Sequence, residues 1–143
     1  MKKKQDIGTS RGGKNTKIHA LVDGLGNPIR LIFTGGEVHD SQKGVPLLEG
    51  FDIEGVAVLG DKAFGTIEIR SYIHERGGIV VIPPKSNTVN PWECDFHHYK
   101  ERHVVEVFFN KLKHFRRIAT RYDKLSYMFQ AFVILACIMI WLK

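Results

Sequence analysis

The sequence predicts an α/β domain in which helices pack on a mixed sheet. Residues 17–34 have the pattern of a hairpin, two short apolar runs at 56–59 and 79–82 flank a segment with helical spacing, and the chain is helical in pattern from His98 onward. An antiparallel hairpin followed by alternating strands and helices is typical of mixed α/β sheets. A chain of 143 residues is large enough to bury one core.

The predicted hairpin follows a basic, glycine-rich lead-in. Residues 1–15 are polar and rich in glycine and lysine, which predicts a loop or a disordered lead-in. Lys17–Val22 and Ile29–Phe33 then have strand patterns. The Asp-Gly-Leu-Gly-Asn-Pro segment between them favours a turn, because glycine accepts positive φ and proline fixes its own φ. We expect this hairpin to open the main domain, over residues 16–124.

A short helix and a buried strand are predicted next. Asp40 or Ser41 can cap a helix that runs to about Glu49, since both side chains can accept a hydrogen bond from the first helical turn. Val56–Leu59 is a continuous apolar run without alternation. Such a run is expected for a strand that is buried on both faces.

A second helix and strand complete the middle of the chain. The helix is predicted from about Thr66 to Arg76, and two glycines end it. Ile79–Ile82 is predicted to be another buried strand, which two prolines terminate. Residues 85–97 are expected to form an irregular, polar connection.

The C-terminal third is predicted to be helical, with a break near residues 120–124. Residues 125–143 are expected to form an apolar helix that packs on the main domain or contacts a second copy. The apolar stretch from Met128 to Leu142 has fifteen residues. A membrane span needs about 20, so no membrane association is expected.

Positive charge is concentrated at two places in the sequence. Residues 1–17 carry six Lys/Arg against one acid, and residues 98–124 carry eight Lys/Arg against three acids, so each segment has a net charge of +5. The remaining residues carry seven basic and eleven acidic side chains, a net charge of −4. Basic segments around an acidic middle favour a polyanion held beside a carboxylate site.

Two acidic residues are candidates for such a site. Asp61 follows the apolar run that ends at Leu59, and reactive groups gather at the carboxyl ends of strands in α/β sheets. A turn or helix cap is the alternative role for this aspartate. Glu106 belongs to a polar stripe with Tyr99, Arg102 and Lys113, whose spacing places them within an arc of about 60° on a helix. A solvated helix face is the alternative explanation of that stripe.

The same spacing resembles a known signature. The Y-x2-R-x3-E-x6-K pattern of Tyr99, Arg102, Glu106 and Lys113 is similar to that of the DDE transposases of bacterial insertion sequences. Further blocks extend the resemblance from about residue 8 to the end of the chain: Ser10–His19, Val22–Pro28, Leu59–Phe64, Val81–Pro84 and Glu106–Leu125.

The resemblance implies a ribonuclease H-like fold and an Asp, Asp, Glu triad that binds two Mg²⁺, with Mn²⁺ as the alternative ion. On that mapping Asp61 is the second aspartate and Glu106 is the glutamate. Arg102 and Lys113 would contact phosphates of the strand being cut, and Tyr99 would position that strand. Contacts with the DNA backbone that do not depend on base sequence would come from a further basic set: Lys111, Arg116, Arg117, Arg121 and Lys124.

The first aspartate of the triad has no good candidate in this sequence. Asp6 follows a lysine-rich stretch that cannot form a buried strand, and Asp23 lies in the hairpin turn. The strand that would carry the missing acid is the central one of a ribonuclease H-like sheet. We therefore expect a chain that is unstable, aggregates or is completed by an upstream transposase segment, as in a truncated element or the second reading frame of a frameshifted gene.

Three functions remain open at this stage. The first is Mg²⁺-dependent cleavage at the ends of an insertion sequence and strand transfer, with the terminal inverted repeats and target DNA as partners and a homodimer as the assembly. The second is an inactive fragment that binds DNA or dimerises, and the third is another ribonuclease H-like nuclease. Two isolated cysteines and the lack of a leader favour a bacterial cytoplasmic, nucleoid-associated protein.

Overall fold

A computed structural model describes residues 8–10, 13–119 and 126–142. The chain divides into two compact units. The hairpin–helix unit comprises Met1–Val38 and Val104–Lys143, and the strand–helix–strand unit comprises His39–His103. The strands are β1 (Gly8–Ser10), β2 (Gly13–Val22), β3 (Pro28–Gly35), β4 (Ala57–Leu59) and β5 (Ile79–Val81). The helices are α1 (Gly44–Leu48), α2 (Ile67–Glu75), α3 (Phe96–Tyr99), α4 (His103–Ala119) and α5 (Ser126–Trp141).

The hairpin–helix unit contains a three-stranded antiparallel sheet in the order β1-β2-β3. The predicted hairpin is confirmed, with Ile18 opposite Phe33 in the register of β2 and β3. The turn forms because Oδ1 of Asp23 accepts hydrogen bonds from the amides of Leu25 and Asn27, each at 2.9 Å. Gly26 completes the turn at φ +87°, a conformation that a side chain would disfavour.

The lead-in was expected to be a loop, and this prediction is wrong for two segments. Residues 8–10 form β1, and residues 13–15 form the first part of β2, with Gly8 opposite Asn15. Composition predicts a loop there because glycine and polar residues are poor strand formers. An antiparallel ladder is held by main-chain donors and acceptors, however, so it can continue beyond the apolar part of a strand.

The core of this unit lies between the hairpin and two long helices. Phe108 and Leu112 of α4 are completely buried, and they pack with Ile18 and with the buried face of α5. The rings of Phe33 and Phe129 meet edge to face, with centroids 6.1 Å apart. The indole of Trp141 also donates a hydrogen bond of 2.7 Å to the carbonyl of Pro28. The apolar helix expected near the C-terminus is thus present as α5, which buries one face in the core of this unit.

The strand–helix–strand unit contains the parallel pair β4–β5, with α2 between the two strands in the sequence. Thr66 caps α2, since its side chain accepts a hydrogen bond of 3.2 Å from the amide of Ile69. At the other end, the amide of Gly77 donates to the carbonyl of His74 and that of Gly78 donates to Ile73. This is a Schellman motif, and Gly77 takes the required positive φ of +75°.

Two local predictions in this unit are wrong. Asp40 and Ser41 do not cap the short helix, because a 3₁₀ turn begins at Asp40 and His39 occupies the cap position without a side-chain hydrogen bond. Asp40 still lies in the first turn, where a negative charge is favourable. The strands are also less buried than predicted: β4 is half-buried throughout, and Val56 and Ile79 are 46% and 53% exposed. A two-stranded sheet offers too little surface to bury a strand on both faces.

The observed fold class is mixed α/β. The predicted parallel and antiparallel strands are present, together with helices packed against strands, but the described residues form two small sheets instead of one continuous mixed sheet. Each strand pairs with a strand close to it in the sequence. Closing the short connection between two such strands costs less chain entropy than closing a long one. Within the described parts of the chain, no helix combines the length and the apolar character that crossing a membrane requires.

Candidate active site

Asp61 lies where the sequence places it, just beyond the carboxyl end of β4. Its Oδ1 accepts a hydrogen bond of 2.9 Å from the amide of Ala63 and so caps a 3₁₀ turn over Lys62–Phe64. The side chain is half-buried. The cap explanation and the active-site prediction are therefore compatible, because a carboxylate has about four acceptor positions and one of them is engaged here.

Gly60 precedes this aspartate and packs against a neighbouring aromatic ring. Its amide donates to the carbonyl of Val81, which ties the end of β4 to β5 at 3.4 Å. A Cβ at Gly60 would lie 3.2 Å from two carbons of Phe64, closer than nearly all real contacts of this kind. The ring of Phe64 thus packs directly on the glycine, and the main chain before Asp61 has little freedom to move.

Tyr99 and Arg102 are neighbours in the strand–helix–strand unit. The guanidinium of Arg102 lies 5.5 Å from the centre of the Tyr99 ring, within the range of a cation–π interaction. The ring of Phe96 meets Tyr99 edge to face at 6.2 Å. Asp95 starts this helical segment, since its Oδ1 accepts a hydrogen bond of 3.1 Å from the amide of His98.

Glu106 and Lys113 both lie on the exposed face of α4. Seven residues separate them, which corresponds to two helical turns and a rise of about 10 Å. Phe108 and Leu112 occupy the opposite, fully buried face. The amphipathic pattern predicted for this helix is therefore confirmed.

The helix that carries the four signature residues is not continuous, contrary to prediction. A 3₁₀ turn at Lys100–Arg102 separates α3 from α4. Because this turn winds at about 120° per residue rather than 100°, the arc calculated for an uninterrupted α-helix does not apply across it. Tyr99 and Arg102 form one pair and Glu106 and Lys113 another, while the convergence of Glu106 with Asp61 stays a prediction.

Comparison with known proteins identifies the family. The family model described as the transposase DDE domain matches residues 1–141. The chain belongs to the DDE transposase family. This confirms the resemblance seen in the sequence, and the hypothesis of a different ribonuclease H-like nuclease loses its support.

Two relatives agree with this assignment. The chain is 41% identical over 133 residues to a Brucella ovis protein whose name is that of a transposase for insertion sequence element IS6501, covering 90% of this chain and 98% of that protein. It is 28% identical over 142 residues to a Burkholderia cepacia protein named for insertion sequence element IS402, covering 92% of this chain and 65% of that protein. No solved structure matches the chain.

The basic residues that the sequence suggests for DNA contacts lie in or after α4. Lys111 is exposed on that helix. Arg116 and Arg117 belong to its last turns, but their side chains lie outside the described part of the structure, as do Arg121 and Lys124 entirely. Lys111 is thus the member of this set whose side-chain position is described; it is exposed, but two residues before Lys113 it points to a different side of the helix.

The acidic residues fit the chemistry of Mg²⁺, which prefers a few hard carboxylate oxygens together with water. The carboxylate of Asp61 is half-exposed at a strand end and is oriented by the Ala63 amide. Among the described residues, no group of three or more His, Cys, Asp or Glu side chains is arranged to hold a metal ion. Asp61 and Glu106, which belong to different units, are therefore each a candidate ligand.

The local environment disfavours the thiolate at both cysteines of the chain. Burial and the neighbouring Asp95 raise the pKa of the Cys94 thiol. Burial raises the pKa of Cys137 to about 11. Both shifts disfavour the thiolate, which is the reactive and metal-binding form of cysteine.

One contact that sequence reasoning missed involves Arg70 and Trp92. The guanidinium of Arg70 lies 3.6 Å from the centre of the Trp92 indole. The two residues are far apart in the sequence, one on α2 and the other in the irregular connection, so no spacing within an element could have indicated the contact. The nearest signal is compositional, since a tryptophan in a polar loop often marks a contact surface.

Proposed function

We propose that this chain carries the catalytic part of a DNA transposase that cleaves DNA at the ends of an insertion sequence and transfers the cut strand to target DNA. The observation that carries the proposal is the position of Asp61. Its carboxylate stands at the end of a parallel strand, oriented by one hydrogen bond and half-exposed, in a chain that belongs to the DDE transposase family. A ribonuclease H-like arrangement of the complete domain is part of the proposal.

Asp61 and Glu106 would hold the divalent ions, with Mg²⁺ favoured and Mn²⁺ as the alternative. When bound, two such ions supply charge stabilisation to the attacking and leaving oxygens of an in-line displacement at phosphorus. The protein's own contribution is to place both carboxylates on ordered elements. The Ala63 amide orients Asp61 through its hydrogen bond, and the buried side of α4 fixes the helix that carries Glu106.

Arg102 and Lys113 would neutralise phosphates on the strand being cut. Arginine suits this role because its planar group binds two phosphate oxygens at once, whereas lysine acts as a point charge. The Tyr99 ring beside Arg102 restricts the guanidinium and would position the strand. Lys111, Arg116, Arg117, Arg121 and Lys124 would add backbone contacts whose strength falls as salt is raised.

The active assembly would include more than one copy of this chain. Ile134, Leu135 and Ile138 of α5 are 49%, 59% and 49% exposed, although they are large and apolar. Together they form an apolar stripe at helical spacing, and exposed apolar patches favour association. We therefore propose a homodimer that contacts the terminal inverted repeats and target DNA in the bacterial nucleoid. An upstream transposase segment would supply the first aspartate and the central strand.

A nicking assay with paired variants tests the catalytic role of Asp61. The full transposase, including any upstream segment, is incubated with Mg²⁺ and a supercoiled plasmid that carries the element ends. Asp61→Asn should lower the nicking rate at least about 100-fold while DNA binding survives, because the amide lacks the charge that a divalent ion requires. Nicking at the normal rate by this variant contradicts the proposal.

Asp52→Asn is the matched control. Asp52 also accepts a hydrogen bond from a main-chain amide two residues ahead, at 3.1 Å from the amide of Glu54, but it lies in an exposed turn before β4. In both variants a charged hydrogen-bond acceptor of a turn is replaced by a neutral one, so any effect on the stability of the turn should be similar. We expect Asp52→Asn to retain nicking within about twofold, so that a loss specific to Asp61 reports catalysis and not turn stability.

The second candidate function is a catalytically inactive fragment that binds DNA or dimerises. It is favoured because the described residues hold two candidate carboxylates and no three-ligand group. Under this alternative, the chain shifts a DNA band on a gel but produces no nicks with Mg²⁺ or Mn²⁺, whether or not the upstream segment is present. Nicking that appears only with that segment favours the enzyme.

A further inference from the structure

A cavity of about 400 Å³ opens within the strand–helix–strand unit, next to the turn that Asp61 caps. Lys62 of that turn lines it, together with Arg70 of α2 and with Lys85 and Trp92 of the irregular connection. None of the described lining residues is acidic. Three cationic side chains around one cavity, without a neutralising carboxylate in its lining, favour an anionic ligand.

Arg70 is held in place at the wall of this cavity. Its guanidinium lies 3.6 Å from the centre of the Trp92 ring. The indole nitrogen of Trp92 donates a hydrogen bond of 2.7 Å to the carbonyl of Ile82, and Gly65 packs so closely on the ring that a Cβ there would lie 3.1 Å from it. Both the ring and the arginine that covers it are therefore restricted before any ligand arrives, which lowers the entropic cost of binding.

The donors of Arg70 are not all used within the protein. Its Nε is buried and has no hydrogen-bond partner in the described structure. A buried polar group without a partner is unfavourable, so it indicates an acceptor that the protein alone does not provide. Arginine has five N–H donors in a planar fork, which matches the oxygens of a phosphate group.

The start of α2 adds a favourable electrostatic contribution. Thr66 and Ile67, the cap and the first residue of this nine-residue helix, line the same cavity. The amides of a first helical turn lack partners inside the helix, and the helix dipole places partial positive charge there. The anionic ligand suggested by the three cations would meet these amides as well.

We infer that this cavity binds a nucleotide unit of the DNA strand next to the cleavage site, with its phosphate on Arg70, Lys85 and Lys62. The inference rests on the proposed function, because DNA lies beside this cavity only if Asp61 acts at a DNA cleavage site. The volume lies within the range of sites for small organic molecules, so it exceeds what a lone phosphate group needs and leaves room for sugar and base.

Trp92 itself provides the measurement. The chain has two tryptophans, so the full chain with Trp141→Phe has Trp92 as its single indole. Its fluorescence is titrated with a short single-stranded oligonucleotide in EDTA, and in parallel with inorganic phosphate and thymidine monophosphate. We expect a saturable change, with the oligonucleotide binding at least about tenfold more tightly than inorganic phosphate.

Charge variants with a matched control assign the change to the cavity. Arg70→Gln and Lys85→Gln should each weaken oligonucleotide binding about tenfold, since a charge-assisted hydrogen bond to phosphate is lost. Lys85→Gln should also reduce the salt dependence, lowering the slope of log affinity against log salt by about 0.7. Lys85 is exposed, so this variant keeps the fold and decides the outcome if Arg70→Gln fails to fold.

Arg76→Gln is the control. Arg76 also belongs to the end of α2 and also lies 3.6 Å from the centre of an aromatic ring, that of Tyr72, but it does not line the cavity. Its substitution should leave the affinity within about twofold. A loss equal to that of Lys85→Gln would mean that binding reflects general charge, and the inference would be overturned.

Two further outcomes also overturn the inference: no change in Trp92 fluorescence with any ligand, or inorganic phosphate binding as tightly as the oligonucleotide. The second would indicate a site for a small free anion. Because the titration contains no divalent ion, it is independent of catalysis. The proposed function can therefore fail in the nicking assay while the cavity still binds DNA, and the reverse.

Discussion

Helices α4 and α5 are nearly equal in length, and both bury one face in the core of the hairpin–helix unit. Their opposite faces differ. The exposed positions of α4 include Glu106, Lys111 and Lys113, whereas α5 has no charged residue over Ser126–Trp141 and exposes large apolar side chains. One apolar stripe is enough to attach a helix to a core. Burial in the core therefore fixes only the inner face of each helix, and the outer faces can differ as these two do.

The largest expected effect is on catalysis, at the outer face of α4. Glu106→Gln removes a charge at an exposed position, so the free energy of unfolding should change by less than about 0.5 kcal/mol. If the carboxylate binds a catalytic ion, the nicking rate with Mg²⁺ should fall at least about 1,000-fold. Glu101→Gln, which removes an exposed carboxylate five residues earlier, should leave the rate within about twofold; equal losses in both variants would contradict the assignment.

The next effect is on stability, at the inner face of α4. Phe108 is completely buried, so Phe108→Ala should lower the free energy of unfolding by about 3–5 kcal/mol. Val107 is the adjacent residue and is 42% exposed, and Val107→Ala should cost less than about 1 kcal/mol. Urea denaturation measures both. Similar costs for the two variants would show that α4 does not bury the face described here.

The inner face of α5 should make stability depend on pH in the alkaline range. Burial raises the pKa of Cys137 from its ordinary value of 9.0 to about 11. The folded state therefore holds this proton where the unfolded state releases it, and stability present below pH 9 is lost as the pH rises through 11. The loss should be on the order of 2 kcal/mol. Cys137→Ala should remove this component of the pH profile; an unchanged profile would contradict the burial of the thiol.

The smallest effect on stability is expected at the outer face of α5, where assembly should change instead. Leu135 is 59% exposed, so Leu135→Lys should alter the free energy of unfolding by about 0.5 kcal/mol or less. If two copies pair through this face, the same variant should be monomeric in light scattering. Asn110→Lys on the exposed face of α4 provides the control, and a dimer that persists in Leu135→Lys would exclude α5 as the contact.

The sequence predicts the elements of this fold best where the local signals agree. The hairpin is predictable because two runs with strand patterns flank a turn, and Asp23 and Gly26 suit the geometry of that turn. Helix α2 is predictable from Thr66 at one end and two glycines at the other. The strand character of residues 8–10 and 13–15 is not, since it depends on main-chain pairing between polar and glycine-rich segments that composition assigns to loops.

The candidate site also contains some features that the sequence predicts and others that it does not. The position of Asp61 follows from a local rule, that acids after a parallel strand stand at its carboxyl end, and the structure agrees. The stripe from Tyr99 to Lys113 obeys helical spacing only in part, because a 3₁₀ turn interrupts it. The stacking of Arg70 on Trp92 depends on how a helix and an irregular connection pack in three dimensions, which no spacing along the chain encodes.

Gly60 has no side chain, yet its close contact with the ring of Phe64 affects where the main chain places Asp61. Even one methyl group at position 60 must push either the ring or the main chain by a few tenths of an ångström, and the main chain leads directly to the carboxylate. A loss of activity could therefore arise here while every charged side chain is intact. Keeping the acid alone would therefore not preserve the site, because the glycine that lets the Phe64 ring lie against the main chain must be kept as well.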